Sequence, residues 1–338
     1  MKRLTLILLL TFSINSTSQE LETILLAGED AQKLMSAYLA PGPKGLIYSM
    51  NNGWYHTAKV HKKLGFDITI GLNASFIPES DETFNIQNVG LSSATFNQNT
   101  TPTFAGSENI TPATITYQTT INGLPVTANF QMPTGVKEDF PIRSIPAPVI
   151  QTGLGLPYKF EVMVRFLPTI NIDDTKAGLY GFGLKKEITD WFGIVDKTPL
   201  HVSLLAAYTN MNVTHEIGNV TGDVATQNAS AEYNVNAYTF QAIASFNLPI
   251  INFFGGVGYN TGNSSLALLG DYSLNYQVDS SSAIIQETVS DPFSIDNNAG
   301  SFNATVGARL SLGFFKIFGS YTAQEYSSVN AGIAFSFR

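Results

Sequence analysis

The sequence predicts an all-β protein, an antiparallel transmembrane β-barrel of about ten strands with a short amino-terminal helical plug or cap. Long segments alternate strictly between apolar and polar residues, only 13% of the residues are charged, and 12% are aromatic. Soluble globular proteins carry about 25% charged residues. A surface that faces lipid needs few charges, so this composition favours a membrane barrel over a soluble one.

The alternation is clearest in residues 66–76, 158–166 and 302–314, where every second residue is apolar and those between are mostly polar or small. A period of two marks a strand with two different faces. Each apolar face begins and ends in Phe or Tyr, as the aromatic girdles of outer-membrane barrels do. The segments run about 9–13 residues, which fits a tilted bilayer crossing, whereas soluble strands average about 5–6.

Ten wall strands are predicted, and the last of them is expected to end in the periplasm. They are placed at residues 64–76, 148–156, 158–169, 176–187, 200–213, 236–248, 251–261, 302–314, 315–324 and 327–338. With this orientation three of the four periplasmic connections are tight, as expected of outer-membrane barrels.

The three longest connections, residues 77–147, 214–235 and 262–301, then all lie on the outside. Within them, residues 115–130 and 266–276 alternate like strands and are expected to be hairpin extensions of the outer loops. If they were wall strands instead, the count would rise to 12 or 14.

The amino terminus predicts a secretory leader. Lys2 and Arg3 precede an apolar stretch at residues 4–14 that is too short for a membrane helix, which needs about 20 residues, and Ser18 suits a cut before Gln19. The predicted organisation is a signal peptide (1–18), an amino-terminal periplasmic plug or cap segment (19–63) and an outer-membrane barrel (64–338).

The segment before the first strand is expected to hold a short helix at residues 27–39. The apolar, Asn- and Gly-containing run that follows includes Asn52, Gly53 and Trp54, which suit a compact irregular segment better than a long helix. This run is expected to plug the lumen or cap its periplasmic mouth, with a loosely packed periplasmic lead-in as the alternative.

Charged residues on the polar faces form the candidate site. They are Asp67, Lys159, Glu161, Arg165, Lys185 and Arg309. Lumen-facing charges could form a selectivity ring or ligand clamp, or a structural ion-pair network that holds wall and insert together. Trp191 and Phe192 are expected to be an aromatic anchor at the periplasmic interface, with a lid as the alternative.

The sequence contains little that indicates a catalytic site or a metal site. His201 and Ser203 share a strand face without a hydrolase motif, and His56 and His61 would bind a metal only if folding aligned them. No cysteine is present, so disulfides, thiolate sites and a lipoprotein anchor are excluded, and the net charge of -8 argues against nucleic acid. No enzymatic activity, cofactor or metal is expected.

The leader, the Gly53-Trp54 segment, the Gly178–Gly183 strand, the Asp190-Trp191-Phe192 turn and the terminal strands together resemble an uncharacterised family of outer-membrane barrels, a domain of unknown function. The amino-terminal insert before a barrel is also similar in architecture to long-chain fatty acid and hydrocarbon transporters, although no motif carries over. These resemblances imply a protein of the Gram-negative outer membrane that passively transports small, hydrophobic molecules. Its expected partners are membrane lipid, the barrel-assembly machinery and such a solute. The alternative is a structural barrel whose outer loops or periplasmic mouth dock a partner.

Overall fold

The computed structural model describes residues 18–139, 144–279 and 281–337. The predicted signal peptide, apart from its last residue, lies outside this range. Within it, no helix combines the length and the apolar character that a bilayer crossing requires.

The described residues form three α-helices and sixteen strands. The helices are α1 (Ser18–Thr23), α2 (Ala31–Leu39) and α3 (Pro41–Asn51). The strands are β1 (Phe66–Phe76), β2 (Thr83–Asn85), β3 (Ala94–Phe96), β4 (Thr100–Pro102), β5 (Thr114–Ile121), β6 (Leu124–Gln131), β7 (Ser144–Leu156), β8 (Phe160–Ile172), β9 (Thr175–Glu187), β10 (Leu200–Gly218), β11 (Val224–Asn247), β12 (Ile251–Gln277), β13 (Ile284–Ser290), β14 (Phe293–Leu312), β15 (Phe315–Ala323) and β16 (Ser328–Phe337).

Ten strands close into an antiparallel barrel, which confirms the predicted fold class and strand count. Their order around the ring is β11-β10-β9-β8-β7-β1-β16-β15-β14-β12, and pairing of β12 with β11 completes the circle. Closure leaves no strand edge in the wall, so every backbone group at membrane depth can find a partner.

The alternating residues face as the sequence predicts, with the apolar side outward. Phe302 and Val306 are 81% and 66% exposed, whereas Asn303 between them faces the lumen and is 5% exposed. Leaving such large side chains in water would cost about 1.5–3 kcal/mol each. The outer surface therefore needs a covering of hydrocarbon.

Two aromatic girdles border this apolar belt. One contains Phe166, Tyr180, Tyr208, Tyr238, Tyr259, Phe302 and Tyr321, and the other contains Phe66, Phe314, Phe315, Phe335 and Phe337. Rings from adjacent strands touch, with centroids 5.0 Å apart between Tyr208 and Tyr238 and 5.1 Å apart between Phe66 and Phe337. From Tyr238 to Phe246 a tilted strand rises about 20 Å, close to the roughly 25 Å band of outer-membrane barrels.

One mouth of the barrel carries three tight turns, the β9–β10 connection at residues 188–199 and the end of β16, and we call it the short-turn mouth. At the opposite, long-loop mouth, β10, β11, β12 and β14 continue well beyond the belt, so most of the predicted loops 214–235 and 262–301 are strand. Beyond the bilayer neither face meets lipid, so the alternation weakens and the sequence predicts shorter strands. Residues 266–276, which do alternate, form the end of β12, and part of them pairs with β13 as a hairpin. Residues 115–130 form the expected hairpin, β5–β6, which pairs with β3 outside the wall.

Helices α1 and α2 cap the long-loop mouth. Ile24 and Leu34 pack in one buried cluster with Ile115 of the hairpin and Tyr272 of β12. The sequence places this segment in the lumen or at the mouth where the last strand ends, whereas α1 and α2 lie at the opposite mouth, because the long strand extensions there cover their apolar faces. The cap is also tied by Asp30, whose carboxylate accepts the backbone N–H groups of residues 92–94 at 2.8–2.9 Å.

Candidate functional site

The candidate site is the lumen itself, which is filled by a segment we call the plug, residues 41–65. Helix α3 starts with proline in its first turn, as helices tolerate, and lies inside the barrel against β1, β7, β11 and β12. It ends where Gly53 adopts a left-handed φ of 69°, and a Cβ there would lie 2.5 Å from Asn73 Oδ1. Glycine at this position lets the chain turn and continue down to β1.

The upper anchor of the plug is an amide and hydroxyl cluster on β1. The Asn73 side-chain amide donates to the carbonyl oxygens of Ser49 and Asn52 at 2.8 and 2.9 Å. The Asn330 amide donates to Asn73 Oδ1 at 2.6 Å, and the Ser49 hydroxyl donates to Ser75 Oγ at 2.9 Å. These bonds satisfy carbonyl groups that the end of a helix leaves without partners.

Arg165 is the central anchor. Its guanidinium donates to the carbonyl oxygens of Met50 and Asn52 at 2.9 and 2.8 Å, and to Gln151 Oε1 at 2.9 Å. It also lies 3.8 Å from the centroid of the Trp54 ring, a cation–π contact. A cation at a helix carboxyl terminus interacts favourably with the helix dipole, so this buried charge is stabilised by α3 itself.

The lower anchor surrounds Asp67. The Arg309 Nη1 group donates to His56 Nδ1 at 2.9 Å, so the proton of a neutral His56 resides on Nε2, which donates to Asp67 Oδ2 at 3.3 Å. His61 Nε2 lies 3.4 Å from the same oxygen. Asp67 Oδ1 accepts the backbone N–H of Gly153 at 3.0 Å. The carboxylate therefore joins the plug to two wall strands.

Two further carboxylates hold the end of the plug. Glu161 pairs with Lys185 at 2.8 Å and accepts the backbone N–H of His61 at 2.9 Å. Glu187 accepts the backbone N–H of Val60 at 3.1 Å and contacts His201 Nδ1 at 2.7 Å. The wall charges thus bind the backbone of the plug as well as each other.

Glycines on the inner face of the wall make room for the aromatic side chains of the plug. A Cβ at Gly183 would lie 2.9 Å from the Trp54 ring, and one at Gly256 would lie 2.6 Å from the Tyr55 hydroxyl. The glycine content of the inward faces is therefore explained by the packing of an insert.

Five of the six predicted lumen charges lie on the inner face of the wall around the plug. The sixth, Lys159, does not face the lumen. Lys159 lies in the turn before β8 with a left-handed φ of 59°, and its side chain is 38% exposed and 3.7 Å from Asp190. The alternating pattern in the sequence includes Tyr158 and Lys159, but both belong to the connection, and the strand begins only at Phe160. Trp191 and Phe192 lie exposed in the β9–β10 connection at the short-turn mouth.

Several residues that anchor the plug are not identified by the sequence pattern. In the sequence, Asn73, Gln151 and Ser49 resemble ordinary polar residues of a strand face or helix, and the spacing of His56 and His61 suggests only a metal site. The sequence signal for these anchors is the run that includes Asn52, Gly53 and Trp54, which is ill suited to a long helix. Of the residues His201 and Ser203, Ser203 donates its hydroxyl to the Ala58 carbonyl of the plug, and His201 contacts Glu187, which binds the backbone N–H of Val60.

The closed ring, the outward apolar belt and the two girdles define the class as an integral β-barrel of the outer-membrane kind. Inside that class, the chain belongs to the family of unknown function described as DUF6588, whose model matches residues 1–337. No curated protein matches the chain.

Solved structures similar to the chain are outer-membrane proteins. The attachment invasion locus protein Ail of Yersinia pestis is 8% identical, with 81% of this chain and 99% of that chain covered and a TM-score of 0.26. The translocator domain of the autotransporter NalP from Neisseria meningitidis is 11% identical, with 82% and 90% covered and a TM-score of 0.30. The outer membrane protease OmpT from Escherichia coli is 10% identical, with 81% and 97% covered and a TM-score of 0.31. Because a protease is among these barrels, the expectation that the chain is not an enzyme is withdrawn.

Proposed function

We propose that the protein resides in the Gram-negative outer membrane and passively transports small hydrophobic molecules through a lumen that its plug gates. The observation that supports this is an occupied lumen whose filling is a separate segment, fastened to the wall through side-chain hydrogen bonds and ion pairs. Such a filling argues for a gated path and against a permanently open pore. Membrane lipid, the barrel-assembly machinery and the solute are the proposed partners, and Trp191 and Phe192 are proposed to anchor the barrel at the periplasmic interface.

The energetics of the anchors suit a gate. Each hydrogen bond that water can replace contributes about 0.5–1.5 kcal/mol net, so the contacts of Asn73, Arg165 and Asp67 can exchange for water one after another. The wall strands are joined by continuous backbone ladders and would remain intact. A shift of the plug therefore costs far less than a breach of the barrel.

A disulfide lock tests this proposal, because the chain has no cysteine of its own. The Ser49 and Ser75 hydroxyl oxygens lie 2.9 Å apart, one on the plug and one on the wall, which suits replacement by a disulfide. The double variant S49C/S75C is expressed in Gram-negative host cells, and entry of the hydrophobic dye N-phenyl-1-naphthylamine is followed by its fluorescence. We expect slow entry in the oxidised variant and wild-type entry after reduction.

The variant S75C/S328C is the matched control. These two hydroxyl oxygens lie 2.7 Å apart on paired wall strands, so a disulfide between them leaves the plug free. Dye entry should be the same before and after its reduction. If no variant admits dye faster than cells without the barrel, the transport proposal fails.

A second candidate function is a docking barrel, favoured by the folded cap on the long-loop mouth. Helices α1 and α2, the β3-β5-β6 sheet and the extended strands form a substantial surface there. A barrel that only presents this surface needs no plug movement. Absence of dye entry in every redox state would favour this candidate.

A further inference from the structure

A cavity of about 260 Å³ lies at the long-loop mouth, between the cap helices and the inner faces of the extended strands. Its walls are mostly aliphatic and aromatic, with Met35 and Leu39 on the cap side and Leu266, Leu268 and Phe293 on the barrel side. Since a 150 Å³ apolar cavity holds one benzene, this space suits a ligand of about ten non-hydrogen atoms. The cavity is separate from the lumen anchors described above.

Two polar groups that find no hydrogen-bond partner among the described residues line this apolar space. Glu22 is 7% exposed, and its carboxyl group makes no hydrogen bond or ion pair to any residue that the structure describes. Tyr272 is 0% exposed, and its buried hydroxyl likewise lacks a partner within the described part of the chain. Buried polar groups are normally satisfied, because each unmet one costs about 1–3 kcal/mol.

The charges nearby indicate which kind of group would complete the site. Asp174 and Glu216 also line the cavity, and Glu216 is paired with Lys176 at 2.8 Å. His215, the remaining titratable lining residue, is hydrogen-bonded to Thr175 at 2.9 Å. The carboxyl groups at the cavity therefore outnumber the cations, which favours a donor or a cation over an anion. Burial raises the pKa of the Glu22 carboxyl group.

We propose that this cavity binds a small aliphatic primary amine, whose ammonium group contacts Glu22 and Tyr272 while its alkyl chain packs against Leu266, Leu268 and Phe293. The ammonium supplies the donors that the two oxygens lack, and the alkyl chain fills the apolar volume. The inference extends the proposed uptake function by naming a ligand class, and it rests on that function only for its physiological meaning. Binding itself requires no movement of the plug.

Calorimetric titration of the nanodisc-embedded protein with n-hexylamine, 1-hexanol and hexanoate tests the proposal, with empty nanodiscs subtracted. We expect hexylamine to bind at least about ten-fold more tightly than hexanol, the size of effect a charge-assisted hydrogen bond gives, and hexanoate to bind most weakly. E22Q should abolish the preference for hexylamine and leave hexanol binding unchanged. L268W, which fills the cavity, should abolish binding of all three probes.

The matched control is E232Q, since Glu232 is exposed and is the sequence neighbour of the lining residue Ala231. It should retain the amine preference in full. Equal binding of hexylamine and hexanoate, an undiminished preference in E22Q, or no binding of any probe would overturn the proposal. None of these results bears on dye entry through the plug, so failure of the ligand site and failure of the transport function are distinguishable.

Discussion

Replacing Arg165 by alanine should loosen the plug more than any other single change in the lumen. The substitution leaves three oxygen acceptors without their donor and removes the cation over Trp54. At about 1 kcal/mol for each acceptor and about 2 kcal/mol for a desolvated cation–π contact, the gross loss is about 5 kcal/mol. Relief from burying a guanidinium offsets part of this loss. We therefore expect about 3 kcal/mol, or a roughly hundred-fold larger equilibrium constant for plug release.

Hydrogen exchange of the nanodisc-embedded protein, read by mass spectrometry, measures this effect. The amides of Ala58, Val60 and His61 donate to wall side chains, so their exchange reports release of the plug. R165A should speed their exchange about hundred-fold and leave the wall strands unchanged. R165K keeps the positive charge but lacks the planar guanidinium group, so its exchange rates should lie between those of R165A and wild type. Wild-type exchange of these amides in R165A would refute the anchoring role of Arg165.

Three further outcomes are expected. Burial alone would raise the pKa of Asp30, but its hydrogen bonds lower this pKa to about 2. The cap should therefore lose about 2 kcal/mol of stability as the pH falls from about 5 to 2. Proteolysis of the cap measures this loss, which the D30N variant should lack. V306R places a charge in the lipid belt and should cost about 2–4 kcal/mol in urea titrations of vesicle-inserted protein, against no change for V306L. G183V should crowd Trp54 and cost about 1–3 kcal/mol, with a red-shifted Trp54 emission in a W191F background; unchanged emission would contradict the packing.

The sequence predicted the barrel well because one physical constraint dominates its wall. Each wall strand has lipid on one face and the lumen on the other, so residues such as Phe302 and Asn303 must alternate, and closure follows from the need to satisfy backbone groups. The same alternation accounts for the inward position that Asp67, Glu161, Arg165, Lys185 and Arg309 have in the structure.

The position of the cap, the length of the extended strands and the place of Lys159 depend on features that no local sequence pattern encodes. The cap lies at the long-loop mouth because Ile24 and Leu34 meet Ile115 and Tyr272, residues far away in the sequence. The extended strands beyond the belt lose their two-sided environment, so their alternation fades and they resemble loops. Lys159 was misplaced because a turn with left-handed residues can continue a strand-like pattern by chance.

Cysteine scanning of β14 with spin labels, in vesicles, tests most directly whether hydrocarbon covers the outward face. The cysteine-free chain allows one label at a time, at Ala304, Val306 and Ala308 on one face and at Asn303, Thr305 and Gly307 on the other. The structure predicts high accessibility to dissolved oxygen at the first three positions, low accessibility at the other three, and exclusion of a water-soluble nickel reagent from the first set. If the nickel reagent reached Val306 as readily as an exposed loop position, the strand would not face lipid and the membrane barrel would be refuted.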